Sequence, residues 1–255
     1  MAQKKVNAVI HSQEKLAEGI YSMWLDAPEM AKAAVPGQFI AVYTNDQSKL
    51  LPRPISICEA DKENGRLRIV YRIAGAGTKE FSAYKEGDTL DIMGPLGNGF
   101  PLKKKKAFLI GGGIGIPPML ELAKNLDCEK TAVIGYRDKE TFLADELRKY
   151  ADVVIATEDG SVGTKGNVID AIRAEKLTAD IIYACGPTPM LKALKTYAME
   201  NGIECYISLE EKMACGIGAC LGCVCQSTET DAHSHVHNKR VCKDGPVFRS
   251  TEVEL

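Results

Sequence analysis

The sequence predicts a multi-domain β plus α/β protein: an N-terminal antiparallel β-barrel, a doubly wound parallel α/β domain and a small C-terminal cysteine-rich segment. Three observations carry that expectation. Short apolar runs separated by turn residues fill the first hundred positions. A strand–glycine loop–helix unit near residue 107 then opens a βαβα rhythm. Finally, the run MACGIGACLGCVC at residues 213–225 interrupts all periodicity.

The barrel is read from segments 6–10, 20–25, 38–43, 66–73 and 89–93, which alternate or run apolar. Pro36-Gly37, Asn64-Gly65, Gly87-Asp88 and Gly94-Pro95 punctuate them as turns. Such spacing suits a small antiparallel barrel. Strands are then expected at 107–110, 131–136, 153–157, 181–185 and 204–209, with helices at 117–125, 140–150, 168–174 and 187–200. That alternation calls for a parallel sheet covered by helices on both faces. The domains expected are 1–101, 102–210 and 211–255.

Composition sets the outer bounds. The chain of 255 residues has room for two modest domains and an appendage. Its apolar fraction of 45% and charged fraction of 26% are ordinary for a soluble globular protein. A net charge of −2 gives no pull toward nucleic acid or an anionic membrane. The lysine run 103–106 reads as a solvated linker. Nine cysteines are an odd count in a chain far larger than disulfide scaffolds. The N-terminus MAQKKVNAVIHSQEK has no apolar signal core, and the most apolar stretch, 107–120, is too short to span a bilayer. A cytoplasmic, reduced protein with metal-binding thiols is expected.

Cys215, Cys220 and Cys223 form C-x4-C-x2-C, and Cys242 offers a distant fourth thiolate. That is the plant-type spacing of a 2Fe–2S cluster. Gly216, Gly218 and Gly222 permit the tight wrap and open amides such a core needs. Zinc also accepts four cysteines but more often pairs C-x2-C with C-x2-C. Cys225 alternates with Cys223 in an extended segment, so its side chain would point away, leaving Cys242 as the better fourth ligand. His233, His235 and His237 alternate as well, but no C-x-H pair supports a Rieske site. They read as part of a solvated insertion.

The loop GGGIGIPP at 111–118 follows a strand and opens a helix, which suits a pyrophosphate on bare amides. Proline stands where the third glycine of G-x-G-x-x-G would be. Cys185-Gly186-Pro187 ends another strand of the same sheet, where ligands bind. Arg53-Pro54-Ile55-Ser56 lies in the barrel half. Its arginine offers a fork of donors to phosphate, and its serine can bond a ring nitrogen.

A barrel with RPIS, a glycine loop with a double proline, then CGP: this order resembles the ferredoxin reductase superfamily of flavoenzymes over residues 4–210. With MACGIGACLGCVC and VCKDGPVF the resemblance covers nearly the whole chain and narrows to the electron-transfer subunits of class 1B dihydroorotate dehydrogenases. It implies FAD, one 2Fe–2S cluster, NAD as electron acceptor, and a separate FMN-containing dihydroorotate dehydrogenase catalytic subunit in a heterotetramer of two of each. FAD contacts are implied at Arg53, Pro54, Ile55, Ser56, Val70, Tyr71, Arg72, Gly77 and Thr78. The NAD site would include Gly113, Gly115, Cys185, Gly186 and Pro187. The cluster ligands would be Cys215, Cys220, Cys223 and Cys242. No general acid or base is required; Ser56 and Cys185 are candidate tuners. Electrons from dihydroorotate would pass singly through the cluster to FAD and leave to NAD as hydride. The segment between Cys223 and Cys242 is longer than the family pattern. Alternatives are a small subunit of a ferredoxin:NAD(P) or sulfur/hydrogen reductase, some of which carry Asp at the first ligand position, and a non-catalytic redox sensor or cluster carrier.

Overall fold

The computed structural model describes residues 4–46, 48–230 and 236–255. Six antiparallel strands close a barrel in the order β1-β2-β5-β4-β3-β6. They are β1 (Lys4–Ala17), β2 (Ile20–Asp26), β3 (Phe39–Val42), β4 (Arg53–Asp61), β5 (Arg66–Arg72) and β6 (Thr89–Leu96). Alternate residues point inward, so Ile10, Met23, Leu25, Ile57, Leu67 and Ile69 fill the interior. Each such side chain contributes about 1.5–3 kcal/mol on burial.

Three features differ from the sequence expectation. β4 is a sixth strand, hidden in sequence because Pro52 and Pro54 demote the segment. β1 runs past residue 10, with irregularities after Ile10 and Lys15 that let it follow the barrel wall. Two short helices, α1 (Pro28–Ala33) and α2 (Ala76–Phe81), fill turns between strands.

The second half is a seven-stranded sheet. It comprises β7 (Ala107–Gly112), β8 (Lys130–Tyr136), β9 (Asp152–Thr157), β10 (Thr164–Lys165), β11 (Ile181–Cys185) and β12 (Glu204–Ser208). After the small ribbon β13 (Val224–Gln226) and β14 (Asn238–Arg240), the chain returns as β15 (Val247–Arg249), antiparallel to β12. The order is β10-β9-β8-β7-β11-β12-β15. Helices α3 (Pro117–Asn125) and α4 (Ala144–Leu147) cover one face; α5 (Val168–Ala174) and α6 (Thr188–Glu200) cover the other. α4 is shorter than expected because Leu143 adopts φ 64°, outside the right-handed helical region. The lysine linker is also less free than its composition suggests. Lys103 and Lys105 both bind Glu204, at 2.5 and 3.1 Å, and the Lys103 contact leads in bringing that carboxyl down to about 2.

The halves are joined by a polar seam. Arg68 on β5 is almost wholly buried; its Nε donates to Ser22 Oγ at 2.9 Å, and its two terminal nitrogens donate to Glu146 on α4 at 2.5 and 3.1 Å. Nearby, Glu59 pairs with Lys124 at 2.6 Å, and buried Glu121 accepts from the Ala60 amide at 3.0 Å. Replacing Glu146 by leucine should lower stability by about 1–3 kcal/mol, because it strips a buried guanidinium of its bidentate acceptor. Lys104→Ala, which breaks a fully solvated pair with Asp127, should cost less than about 0.5 kcal/mol. Urea unfolding midpoints of the two variants test the contrast.

Candidate functional site

The barrel opens where two strands part. β4 pairs with β5 only between Ile57↔Ile69 and Asp61↔Arg66, so residues 53–56 keep β3 on one side and open space on the other. Residues 70–72 likewise pair with β2 alone. Pro54 is tolerated on this one-sided stretch, where a full ladder is not required. Between the parted strands lies a cavity of about 580 Å³. Arg53, Pro54, Ile55, Ser56, Val70, Tyr71, Arg72 and Thr78 all line it. Gly77 supports it from behind: a Cβ there would stand 2.0 Å from Arg53 Nε. Thr78 Oγ1 accepts the amides of Ala74 and Gly75 at 2.8 and 3.2 Å, fixing the start of α2. The Tyr71 ring is committed to the barrel core, with its hydroxyl donating to Gln13 at 2.8 Å. Burial pushes that phenol upward.

A second cavity, about 590 Å³, lies at the C-terminal ends of the parallel strands. The sheet order reverses between β7 and β11, which is where open α/β sheets bind ligands. Gly113, Gly186 and Pro187 line this cavity; Gly115 and Cys185 do not. Gly115 is instead a packing glycine, since a Cβ there would lie 2.3 Å from the Cys185 carbonyl oxygen. It lets the two ligand-edge loops touch. Cys185 is buried below them with its thiol against Ser208, and burial pushes its ionisation upward.

Arg72, Ile114 and Glu210 line both cavities, so the two meet there. Glu210 is exposed into this shared space while protein surrounds it on its other sides. Desolvation raises its carboxyl, and Arg72 opposes that shift. Sequence reasoning assigns no site role to Ser208, Glu210 or Met213. Their signal is position: Ser208 ends β12, and Glu210 and Met213 follow it.

The cysteine segment folds back so that all four thiols receive a backbone N–H. Ala219 donates to Cys215 at 3.2 Å, Gly222 to Cys220 at 3.4 Å, Cys242 to Cys223 at 3.4 Å and Gly218 to Cys242 at 3.1 Å. Gly216 and Gly218 take φ of 69° and 84° to make this wrap, a region that costs other residues strain. The Cys215 thiol touches that of Cys220, and the Cys223 thiol touches that of Cys242. Among the described residues, no three His, Cys, Asp or Glu side chains converge on a single ion. Two pairs of thiols fit a two-iron core better than one tetrahedral zinc. Burial opposes ionisation of Cys215, but the amides of Ile217, Cys220 and Ala219 and the Cys220 thiol outweigh it and bring it down to about 6.

Cys225 lies on β13 opposite Lys239, buried in the same apolar cluster as Cys223 and Cys242. His237 Nε2 lies 3.2 Å from Thr230 Oγ1; His233 and His235 fall outside the described residues. Met213 joins the two sites. It lines the first cavity and belongs to the same buried apolar cluster as Cys223, Cys242, Phe39 and Leu96.

A split barrel, a doubly wound sheet and adjoining cavities define a ferredoxin reductase-type flavoprotein with an appended iron–sulfur segment. Comparisons with known proteins agree. Residues 7–100 match the oxidoreductase FAD-binding domain, and residues 210–254 match the iron–sulfur cluster binding domain of dihydroorotate dehydrogenase B. A dihydroorotate dehydrogenase B (NAD(+)) electron transfer subunit from Bacillus velezensis is 42% identical, with 99% of this chain and 100% of the relative covered. The corresponding subunit of Caldanaerobacter subterraneus is 43% identical, with 98% of each covered. The chain belongs to the family of dihydroorotate dehydrogenase B electron transfer subunits. Among solved structures, that of an NADH-dependent reduced ferredoxin-NADP oxidoreductase superposes with a TM-score of 0.88 at 32% identity, covering 97% of this chain and 89% of that one. A Neisseria gonorrhoeae ferredoxin NADP+ reductase shares the fold at a TM-score of 0.65 and 17% identity, covering 78% and 92%.

Because Gly77 lies hard against Arg53, Gly77→Ala should weaken flavin binding at least about tenfold, or about 1.4 kcal/mol. Gly75→Ala should stay within about twofold, since its backbone is extended and a Cβ there meets nothing within 4 Å. Fluorescence titration of the deflavinated variants with FAD reads both.

Proposed function

We propose that this chain is the electron-transfer subunit of an NAD-dependent dihydroorotate dehydrogenase, carrying electrons from an FMN-containing catalytic partner to NAD. In this reading residues 1–101 form the flavin domain, 102–210 the NAD domain and 211–255 the cluster segment. Arg53, Pro54, Ile55, Ser56, Val70, Tyr71, Arg72, Gly77 and Thr78 hold FAD. Gly113, Gly186 and Pro187 cradle NAD, with Gly115 and Cys185 packed behind them. Cys215, Cys220, Cys223 and Cys242 hold the cluster.

One observation supports this most directly: thiols, first cavity and second cavity are contiguous, sharing Met213 on one side and Arg72, Ile114 and Glu210 on the other. Bound flavin supplies the exchange between single-electron and hydride chemistry that neither an iron–sulfur centre nor a nicotinamide performs alone. The protein's residues bind, orient and exclude water. Arg53 presents a planar fork of donors suited to phosphate. Gly113, whose Cβ position is open, lets an anion approach the backbone. Met213, itself buried, lines the first cavity and adds a polarisable side chain to the apolar cluster that holds Cys223 and Cys242.

Cys220 is the exposed thiol of the four, and exposed Ile217 and Leu221 flank it. That exposed apolar pair suits the seat of the partner subunit, in an assembly of two copies of each chain. Nine free cysteines suit the reducing cytoplasm.

The decisive experiment combines the chain anaerobically with a candidate FMN subunit and follows NADH formation from dihydroorotate. NADH should appear, and Cys220→Ser should cut it at least about hundredfold while NADH still reduces the flavin in the same preparation. Flavin and cluster without dihydroorotate-dependent NADH would overturn the assignment in favour of a ferredoxin-linked reductase. A preparation that never takes up flavin would favour a cluster carrier.

A further inference from the structure

The Gly218 residue is held from both of its polar groups. Its amide donates to Cys242 Sγ at 3.1 Å, and its carbonyl accepts from Arg240 Nη1 at 3.1 Å. The side chain that grips it comes from β14, on the arm that carries Cys242. Arg240 is itself fixed: its backbone N–H and its Nε both donate to Asp244 Oδ2, at 2.7 and 3.2 Å. The turn holding Asp244 is anchored to the barrel end, because Asn98 Nδ2 donates to the carbonyls of Lys243 and Asp244 at 3.1 and 3.0 Å.

The position is also sterically exacting. Gly218 has φ of 84°, and a Cβ there would come within 2.6 Å of the Lys243 side chain. The Gly218 carbonyl shares a planar peptide unit with the Ala219 N–H, which donates to Cys215 Sγ at 3.2 Å, and only the Gly218 Cα separates that unit from the one carrying the Gly218 amide. Turning the held unit would carry the Ala219 amide off Cys215 and, through the permissive glycine between the two units, disturb the Gly218 amide on Cys242. Cys242 is the thiol most distant in sequence from the other three, so its geometry depends on contacts of this kind.

We propose that Arg240 is a positioning residue that sets the reduction potential of the cluster, by holding the Gly218–Ala219 peptide so that the Ala219 and Gly218 amides stay on the Cys215 and Cys242 thiolates. The inference rests on the reading of Cys215 and Cys242 as ligands. Reduction adds one electron and no atoms to the thiolate-bound core. An N–H aimed at a ligand sulfur stabilises that extra negative charge and raises the potential. The guanidinium adds a positive charge nearby, which Asp244 largely offsets at close range.

The test is an EPR-monitored redox titration of the full chain carrying flavin and cluster. In Arg240→Met the reduced-to-oxidised ratio of the cluster at fixed potential should fall about tenfold, equivalent to about 59 mV for one electron. Arg240→Gln, which can still donate to the Gly218 carbonyl without a charge, should stay within about threefold of the parent, or about 28 mV by the same conversion. The flavin potential read in the same titration should not move. An unchanged ratio in Arg240→Met would overturn the proposal. So would an Arg240→Gln value as low as that of Arg240→Met, which would mean that charge alone acts. If Arg240→Met loses its cluster, Asn98→Ala, which frees the turn that fixes Asp244 and through it the guanidinium without changing any charge, should show a smaller fall, and an unmoved Asn98→Ala then rejects the proposal. Cys242→Ser separates the underlying reading: an EPR signal and iron content identical to the parent would remove Cys242 as a ligand, whatever Arg240 does.

Discussion

Where β12 ends, residues 208–213 line the first cavity on their way to the cysteine loop, and Met213 among them is also buried in the apolar cluster that holds Cys223 and Cys242. This short stretch has to be rigid, because it fixes how far the cysteine loop stands from the barrel. Its rigidity has identifiable sources. β12 is paired on one side with β11 and on the other with β15. The Leu209 amide donates to the Pro246 carbonyl at 2.9 Å, so the departing and returning chains are tied together just beyond the sheet. Met213 is then buried in the apolar cluster that includes Phe39 and Leu96 of the barrel, and Gly216 packs against Leu96. The cysteine segment is therefore seated on both halves at once. It is not a tethered ferredoxin.

That arrangement depends on the two halves keeping one relative orientation. An apolar contact alone tolerates sliding, because hydrophobic attraction has no direction. The seam between β4, β5, α3 and α4 supplies direction. Arg68 engages Glu146 with a planar, bidentate geometry, and Glu121 reaches across to a single backbone amide at Ala60. Arg68 and Arg72 lie on the same strand, with Arg72 where the two cavities meet. The polar seam thus sets the register of the cavity-lining end of β5 against the glycine loop.

Much of the fold was legible because it rests on period and punctuation. The βαβ rhythm located β7, β8, β9, β11 and β12 but not the two-residue edge strand β10, and helix 168–174 matches α5 residue for residue. β4 was not legible as a strand, because prolines mark turns in sequence but also occupy one-sided strands, and only the partner strands distinguish the two. Among site residues, residues 53–56 announced themselves by chemical type, and the structure lines a cavity with all four. Cys185 did not behave as its neighbours did. Its place at a strand end suggested exposure to ligand, whereas strand alternation turns its thiol into the core. Glu210 had no motif to mark it, and Met213 stood at the head of the cysteine run with nothing in its type to single it out. They matter through where β12 stops, which is a property of the sheet and not of the local sequence.

The position of the thiols follows from topology. In a parallel sheet every strand delivers its C-terminal end to the same edge, and that edge is where ligands gather. A segment added after the last parallel strand therefore starts at the ligand edge without needing a long connection. β12 is that strand, and Cys215 comes seven positions after its last residue, Ser208. The same segment must then leave, and an antiparallel β15 lets it do so by pairing with β12 itself. The outgoing and returning arms consequently face one another, bringing Cys242 back to Cys223, whose carbonyl accepts from the Val241 amide at 2.9 Å. A fourth thiol far away in sequence is thus a consequence of closing the sheet edge. The intervening chain can vary in length without moving it.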